Sequence, residues 1–303
     1  LKPVHPFGFE ARHHEVTLLD GEHMKLLLGA LAGHETAAKK DLKCVLSLSA
    51  RPAALLAGVP PRPECERQQQ PGFTQPGSFA QYVALPRADR NLRVLPDNVS
   101  FESAAALGCR FTTAFRAVVQ QGRLQAGETL AVFGCGGLGL SAVMVGAATG
   151  ARVVAVDPSR AARDRALELG ASAAVDSDGC REAVWTATGY GADVCVECSG
   201  AARAVEDACY SARRGGRVVQ AGLPLGDERP EVPMARVAGW ELEIYGSHGL
   251  ASHDLPAILD LVATGRLRPD ASIERRVTLQ EGCDAIVDMD RSSPLGVTMV
   301  TKF

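Results

Sequence analysis

The sequence lacks any run of about 18 apolar residues, so no transmembrane helix is expected. It lacks an excess of either charge. Its 32 lysines and arginines face 35 aspartates and glutamates, a net of −3, which gives no bulk electrostatic ground for a nucleic-acid partner. It lacks internal repeats, and Gln68–Gln70 is too short to count as low complexity. The mostly apolar stretch Met24–Ala32 is short and lacks the n-region, h-region and cleavage pattern of a signal peptide. Nine cysteines, an odd number scattered along the chain, do not form a disulfide framework, so a reducing, cytoplasmic compartment is expected. What is present is ordinary globular composition. There are 303 residues, 46% hydrophobic and 22% charged, which is room for about two domains and a core that needs no disulfides.

Residues 1–70 carry little pattern. Ala50–Arg62 has neither a helical nor a strand period, and Pro60, Pro61 and Pro63 break helices there. Regularity begins near Phe73. Ser78–Leu85 and Asn91–Leu95 read as strands, Pro96-Asp97-Asn98 as a turn, and Ser103–Leu107 as a helix behind Ser100. The middle alternates. The apolar runs Thr129–Phe133, Val153–Val156, Ala173–Val175, Val194–Val196 and Val218–Ala221 are interleaved with helical patterns over Gly139–Ala148, Arg160–Leu169 and Ala201–Ala212. Short, continuously apolar strands between helices predict βαβ units and a parallel sheet covered on both faces. In the tail, Asp254–Thr264 reads as a helix closed by Gly265. Thr278 and Glu281 have capping-box spacing for a helix over Leu279–Met289, and Leu295–Val300 reads as a last strand.

One motif carries chemistry. Gly134-Cys135-Gly136-Gly137-Leu138-Gly139 follows a strand and opens a helix. Gly134 allows the tight turn, Gly136 lets the backbone approach a pyrophosphate, and Gly139 lets helix and strand pack closely. The helix start offers free N–H groups and its positive dipole end to phosphate. Asp157 ends the second strand at the distance expected of the acid that accepts from an adenosine ribose and repels a 2′-phosphate, so the cofactor is expected to be NAD. Its other reading is the opening of the turn Asp157-Pro158-Ser159. Arg160, three residues on, is placed to reach a 2′-phosphate and would permit NADP.

With these residues in view, the chain resembles the medium-chain dehydrogenase/reductase superfamily, zinc-dependent alcohol dehydrogenase type, from about Gln70 to Phe303. The likeness rests on Gly77-Ser78-Phe79-Ala80-Gln81-Tyr82, Ala104–Ala117 around Gly108-Cys109, the nucleotide unit, Gly215-Gly216-Arg217-Val218-Val219 and Gly246-Ser247-His248. It implies an α/β fold in which a Rossmann doubly wound parallel sheet is inserted in a GroES-like β-barrel catalytic domain. The expected divisions are 1–110 for the catalytic domain (1–64 atypical), 111–250 for the Rossmann domain and 251–303 for a segment returning to the catalytic domain. It also implies zinc-assisted hydride transfer between an alcohol and an aldehyde or ketone, with NAD(H), a small-molecule alcohol or carbonyl substrate, and a homo-oligomer. By the resemblance, Cys109 and His34 are metal ligands, Glu35 lies beside the metal, and Thr113 lies against the nicotinamide. Gly137 and Leu138 belong to the cofactor loop, Leu138 pressing the other nicotinamide face, and Leu223 and His248 line the cofactor.

The chain departs from that type in its first part. No cysteine precedes Cys44, so the first zinc cysteine has no counterpart. His13, His14 and His23 are imidazoles able to bind zinc, or plain surface histidines. Of the four-cysteine structural-zinc lobe only Cys65 remains, and one cysteine cannot make that site. The change from unpatterned to family-like text near Cys65 is what a shifted frame or rearranged gene would leave. Cys195 and Cys198 have CxxC spacing, but Cys195 belongs to an apparent buried strand, which speaks against a zinc or redox pair. Two further readings therefore stand beside the first: a zinc-free NAD(P)H-dependent quinone or enoyl-type reductase, and a dinucleotide-binding remnant without chemistry.

Overall fold

The computed structural model describes residues 44–46, 92–225, 227–289 and 294–302. Strands β1 (Cys44–Leu46) and β2 (Leu92–Val94) pair antiparallel. Ser100 then caps α1 (Phe101–Ala106), its hydroxyl accepting from Ser103 N at 3.0 Å. Helix α2 (Cys109–Phe115) continues without a break into a π-helical stretch, Arg116–Gln121. That widened turn ends at Gly122, where Gly122 N donates to Ala117 O at 2.8 Å and a Cβ would lie 2.8 Å from Val118 O. The buried Arg217 holds this end by donating to Gly122 O and Arg123 O at 2.9 and 3.0 Å, while pairing with Glu128.

The nucleotide unit follows. Strands β3 (Thr129–Phe133), β4 (Arg152–Val156), β5 (Ala173–Val175), β6 (Ala192–Glu197), β7 (Ala212–Gln220) and β8 (Glu243–Gly246) form one sheet in the order β5-β4-β3-β6-β7-β8. Every pair is parallel. Between the strands run α3 (Gly137–Thr149), α4 (Arg160–Glu168), α5 (Cys180–Thr188), α6 (Ala204–Ser211) and α7 (Met234–Trp240). This is the doubly wound Rossmann order, and its direction reverses between β3 and β6, where ligands bind at the carboxyl ends.

The two faces can be read along β3. Leu130 and Val132 join one apolar cluster with Leu140, Val143 and Phe111, whereas Ala131 and Phe133 join the other with Cys180, Val184 and Cys209. With helices on both sides, every residue of β3 and β6 is buried, which is why these strands are continuously apolar. Besides Glu197 at the end of β6, Asp193 is the charged exception. It accepts from Thr129 N at 2.8 Å, the Tyr190 hydroxyl at 2.7 Å and Arg213 Nε at 2.5 Å. Burial pushes its pKa up, but those three donors outweigh it and hold the carboxyl below its ordinary value.

The tail holds α8 (Leu255–Ala263), β9 (Ile273–Thr278), α9 (Leu279–Asp288) and β10 (Val297–Lys302), with β9 and β10 parallel. Thr278 and Glu281 form the expected reciprocal capping box. Leu250, Leu255, Ile258 and Leu259 share an apolar cluster with Leu95, Val99 and Leu107, from ahead of the nucleotide unit. Trp185 of α5 and Trp240 of α7 meet edge to face at 5.8 Å, and Arg214 and Arg236 stack on the Trp240 ring.

The strands over Thr129–Phe133 and Ala173–Val175 fall as the apolar runs predict. Others shift. Helix α3 starts at Gly137 rather than Gly139, because the glycines themselves form its first turn. Helix α6 covers Ala204–Ser211 rather than Ala201–Ala212, because Ala212 adopts an extended conformation and opens β7. Among the described residues no helix is long and apolar enough to cross a membrane.

Candidate functional site

Three glycines of the loop after β3 do three different things. Gly134 has φ +88°, a left-handed conformation costly for any side chain, and a Cβ there would lie 2.7 Å from Ser199 Cβ. At Gly139 a Cβ would lie 1.7 Å from Gly134 O, so only glycine lets α3 pack on the turn. At Gly136 a Cβ meets nothing within 4 Å. That position is open toward whatever approaches the loop. Leu140 N donates to Gly136 O at 2.8 Å, whereas the N–H groups of Gly137, Leu138 and Gly139 have no acceptor among the described residues. Free donors at the positive end of a 13-residue helix are an anion cradle.

Asp157, at the end of β4, braces this loop. Its Oδ2 accepts from Cys135 N at 2.7 Å and its Oδ1 from Ser159 N at 2.8 Å. Each carboxylate oxygen keeps a further lone pair for a ligand hydroxyl. The Asp157-Pro158-Ser159 turn therefore leaves acceptor capacity on this carboxylate. Arg160 is almost wholly exposed and lies 3.8 Å from Asp164. It is Arg163 that ties the turn down, donating to Asp157 O at 2.6 Å and to Asp176 at 2.7 Å. Burial, with the Asp157 charge beside it, pushes the Cys135 thiol up to about 12, so the loop cysteine stays protonated. Burial also pushes Cys195 and Cys198 well above the usual thiol range. Their burial disfavours the thiolate form.

Across the switch point, β6 ends at Glu197, which is fully buried. Its carboxylate accepts from Ser199 N at 2.7 Å, Gly200 N at 3.0 Å and Gln220 Nε2 at 2.5 Å, and from the Ser199 hydroxyl. Glu197 thus joins the loops that follow β6 and β7. They are so close that a Cβ on Gly200 would lie 2.2 Å from Leu223 O. Beside them opens a cavity of about 450 Å³ lined by Arg116, Gln220, Leu223, Gly246, Ser247 and His248. Arg116 Nη1 donates to His248 O at 2.9 Å, fixing that wall to the π-helical stretch. Leu223 and His248 present exposed side chains, Leu138 is half-buried, and Thr113 is buried on α2.

Cys109 is the first residue of α2 and is exposed. Among the described residues no three His, Cys, Asp or Glu side chains are arranged to hold a metal. His34 and Glu35 lie outside the described residues, as do Cys65, Gly77–Tyr82 and the histidines His13, His14 and His23. Glu197 and Gln220 are site residues that sequence reasoning missed. A glutamate closing an otherwise apolar strand run was the available signal for the first.

The sequence pattern that defines the family "Zinc-binding dehydrogenase" matches residues 137–264. An alcohol dehydrogenase of Geobacillus stearothermophilus is 33% identical over 211 residues, 69% of this chain and 61% of that protein. Sorbitol dehydrogenase of Bacillus subtilis is 31% identical over 69% of this chain and 59% of its own length. The chain thus spans about three fifths of the length of the curated relatives it matches. Among solved structures, the alcohol dehydrogenase TADH from Thermus sp. ATN1 superposes with a TM-score of 0.71 at 30% identity, covering 78% of this chain and 71% of that one. The alcohol dehydrogenase of Aeropyrum pernix superposes with a TM-score of 0.75 at 25% identity, covering 88% and 78%.

Proposed function

For a chain that belongs to the zinc-type alcohol dehydrogenases of the medium-chain dehydrogenase/reductase superfamily, we propose hydride transfer between a small alcohol or polyol and NAD, giving the aldehyde or ketone and NADH. The observation that carries this reading is the glycine loop, with its free N–H groups beside Asp157. The residues fit a dinucleotide. Gly136 leaves open space, Gly137–Gly139 offer donors to a pyrophosphate, and Asp157 offers acceptors to ribose hydroxyls. Its negative charge opposes a 2′-phosphate, which favours NAD over NADP.

When bound, the nicotinamide accepts or gives the hydride. The chain's own part is to position and enclose. Leu223, Ser247 and His248 wall the cavity beside the switch point, and Glu197 holds the loops that shape it. Thr113 and Leu138 are the side chains proposed to flank the nicotinamide. The proposed substrate enters from the part of the chain around Cys109. Seven free cysteines among the described residues support action in a reducing, cytoplasmic compartment, and the assembly is proposed to be a homo-oligomer.

Zinc assistance is a separate part of the proposal, resting on Cys109 and His34. Among the described residues Cys109 is a single donor, and one thiolate does not hold zinc. Two measurements test the reading. NADH titration, followed by turnover with NAD over a panel of alcohols and polyols, tests the oxidoreductase; no NADH binding overturns it, and binding without turnover leaves a dinucleotide-binding remnant. Elemental mass spectrometry tests the metal. About one zinc per chain, lost in Cys109→Ser, supports it, whereas a zinc-free protein that still oxidises alcohols overturns zinc assistance, and a zinc-free protein active only on quinones or enoyl compounds with NAD(P)H is the zinc-free reductase.

A further inference from the structure

The loop holds a fourth glycine, Gly137, which the spacing of Gly134, Gly136 and Gly139 does not require. The structure gives it a neighbour from another helix. Arg110, the second residue of α2, reaches across so that a Cβ built on Gly137 would lie 2.4 Å from its Nη1, 2.8 Å from Cδ and 2.9 Å from Cζ. Its arm and guanidinium therefore lie directly against the first residue of α3, in the space a side chain at 137 would fill.

Arg110 is exposed, and it makes no ion pair or hydrogen bond among the described residues. Other arginines near the sheet are tied: Arg163 to Asp176, Arg181 to Asp207, Arg213 to Asp193 and Arg217 to Glu128. A guanidinium resting on the positive end of a helix, beside N–H groups that also lack acceptors, is a like-sign arrangement. An anion set between the two reverses the sign of every interaction there. The planar guanidinium fork matches two oxygens of a phosphate, which a lone ammonium does not.

We infer that Arg110 is a pyrophosphate-binding residue: it closes over the dinucleotide's phosphates from the α2 side while Gly137–Gly139 N–H groups hold them from the α3 side. The inference rests on the dinucleotide reading of the loop and adds to it a contact supplied by the helix that also carries Cys109. Binding of the cofactor and the placement of Cys109 are thereby mechanically joined through adjacent residues.

The test compares ADP-ribose with adenosine, which lacks phosphate, by isothermal titration of the full chain. Arg110→Gln is expected to weaken ADP-ribose binding about ten- to a hundredfold, as for loss of a charge-assisted hydrogen bond. Arg110→Lys should lie between, adenosine binding should not change, and the salt dependence of ADP-ribose binding should become shallower in Arg110→Gln. Thermal unfolding of each variant checks that this exposed substitution leaves the fold intact. Unchanged ADP-ribose binding in Arg110→Gln overturns the inference. So does equal weakening of ADP-ribose and adenosine, which would mark a merely structural role. A parent protein that binds no ADP-ribose overturns the dinucleotide reading itself, and that outcome is separate from the other two.

Discussion

Alanine at Gly136 and alanine at Gly139 are one methyl group each, three residues apart, yet the structure predicts opposite failures. At Gly139 the new Cβ would sit 1.7 Å from Gly134 O and 2.8 Å from Gly134 C. A carbon–oxygen contact relaxes to about 3.3 Å, so helix and turn must part by roughly 1.5 Å. Both colliding groups are backbone, and no rotamer relieves them. Overpacking of this kind costs about 3 kcal/mol, the upper end of its usual range, and lowers Tm by roughly 5–10 °C in a chain of this size. At Gly136, φ is −75° and a Cβ has nothing within 4 Å. The fold loses only the preference for glycine over alanine at a helix N-cap, about 0.5–1 kcal/mol, or roughly 3 °C at most. The methyl instead occupies the space through which a pyrophosphate approaches the backbone, and NADH binding should weaken at least about tenfold. Thermal unfolding and NADH fluorescence titration on both variants separate the two. A Gly136→Ala protein that binds NADH like the parent, or a Gly139→Ala protein with an unchanged Tm, would refute this account of the loop.

Three further outcomes are expected. Asp157→Asn removes the charge that opposes a 2′-phosphate, so the preference for ADP-ribose over its 2′-phosphorylated form should fall about tenfold or more in paired titrations; an unchanged ratio would exclude Asp157 as the discriminating residue. Glu197→Ala leaves Ser199 N, Gly200 N and Gln220 Nε2 without their acceptor and should cost about 3–5 kcal/mol by denaturant unfolding, with Glu197→Asn no better than a partial rescue. Asp193 has a folded pKa below its ordinary 3.8, so its ionised form contributes stability above that value, and this is lost as pH falls through and below it. Tm measured from pH 6 to pH 3 should therefore drop less steeply in Asp193→Asn than in the parent, from a lower starting value.

The nucleotide unit was legible because its signals are local. Each buried strand is a continuous apolar run, and the glycine loop has fixed spacing. Elements without that signature were missed. Helix α5 buries only Cys180, Val184 and Thr188, a stripe one residue wide in polar text, and it begins from Gly179 without a side-chain cap. Helix α7 has no buried residue, and it is held by Val237 and Trp240 against a neighbouring cluster. Strand β7 starts six residues before its apolar part because Arg213-Arg214-Gly215-Gly216 looks like a turn, although Arg213 pairs with Asp193 one strand away. At the site, the glycines and Asp157 announce themselves by spacing. Arg110 and Gln220 do not, because their partners are 27 and 23 residues away, at Gly137 and Glu197, and only the fold makes them neighbours.

Both tryptophans of the chain, Trp185 and Trp240, sit together in helices of the nucleotide unit, edge to face and under two guanidinium groups. Intrinsic emission excited at the red edge of protein absorption therefore originates from one half of the molecule alone. Separation of α5 from α7 would break the edge-to-face contact between the two indoles and expose both at once, shifting the emission to longer wavelength in one step. A melting curve followed by this light tracks the Rossmann sheet, while far-ultraviolet dichroism tracks the whole chain. Divergence of the two curves would report that the remainder unfolds on its own schedule, with no label or mutation needed.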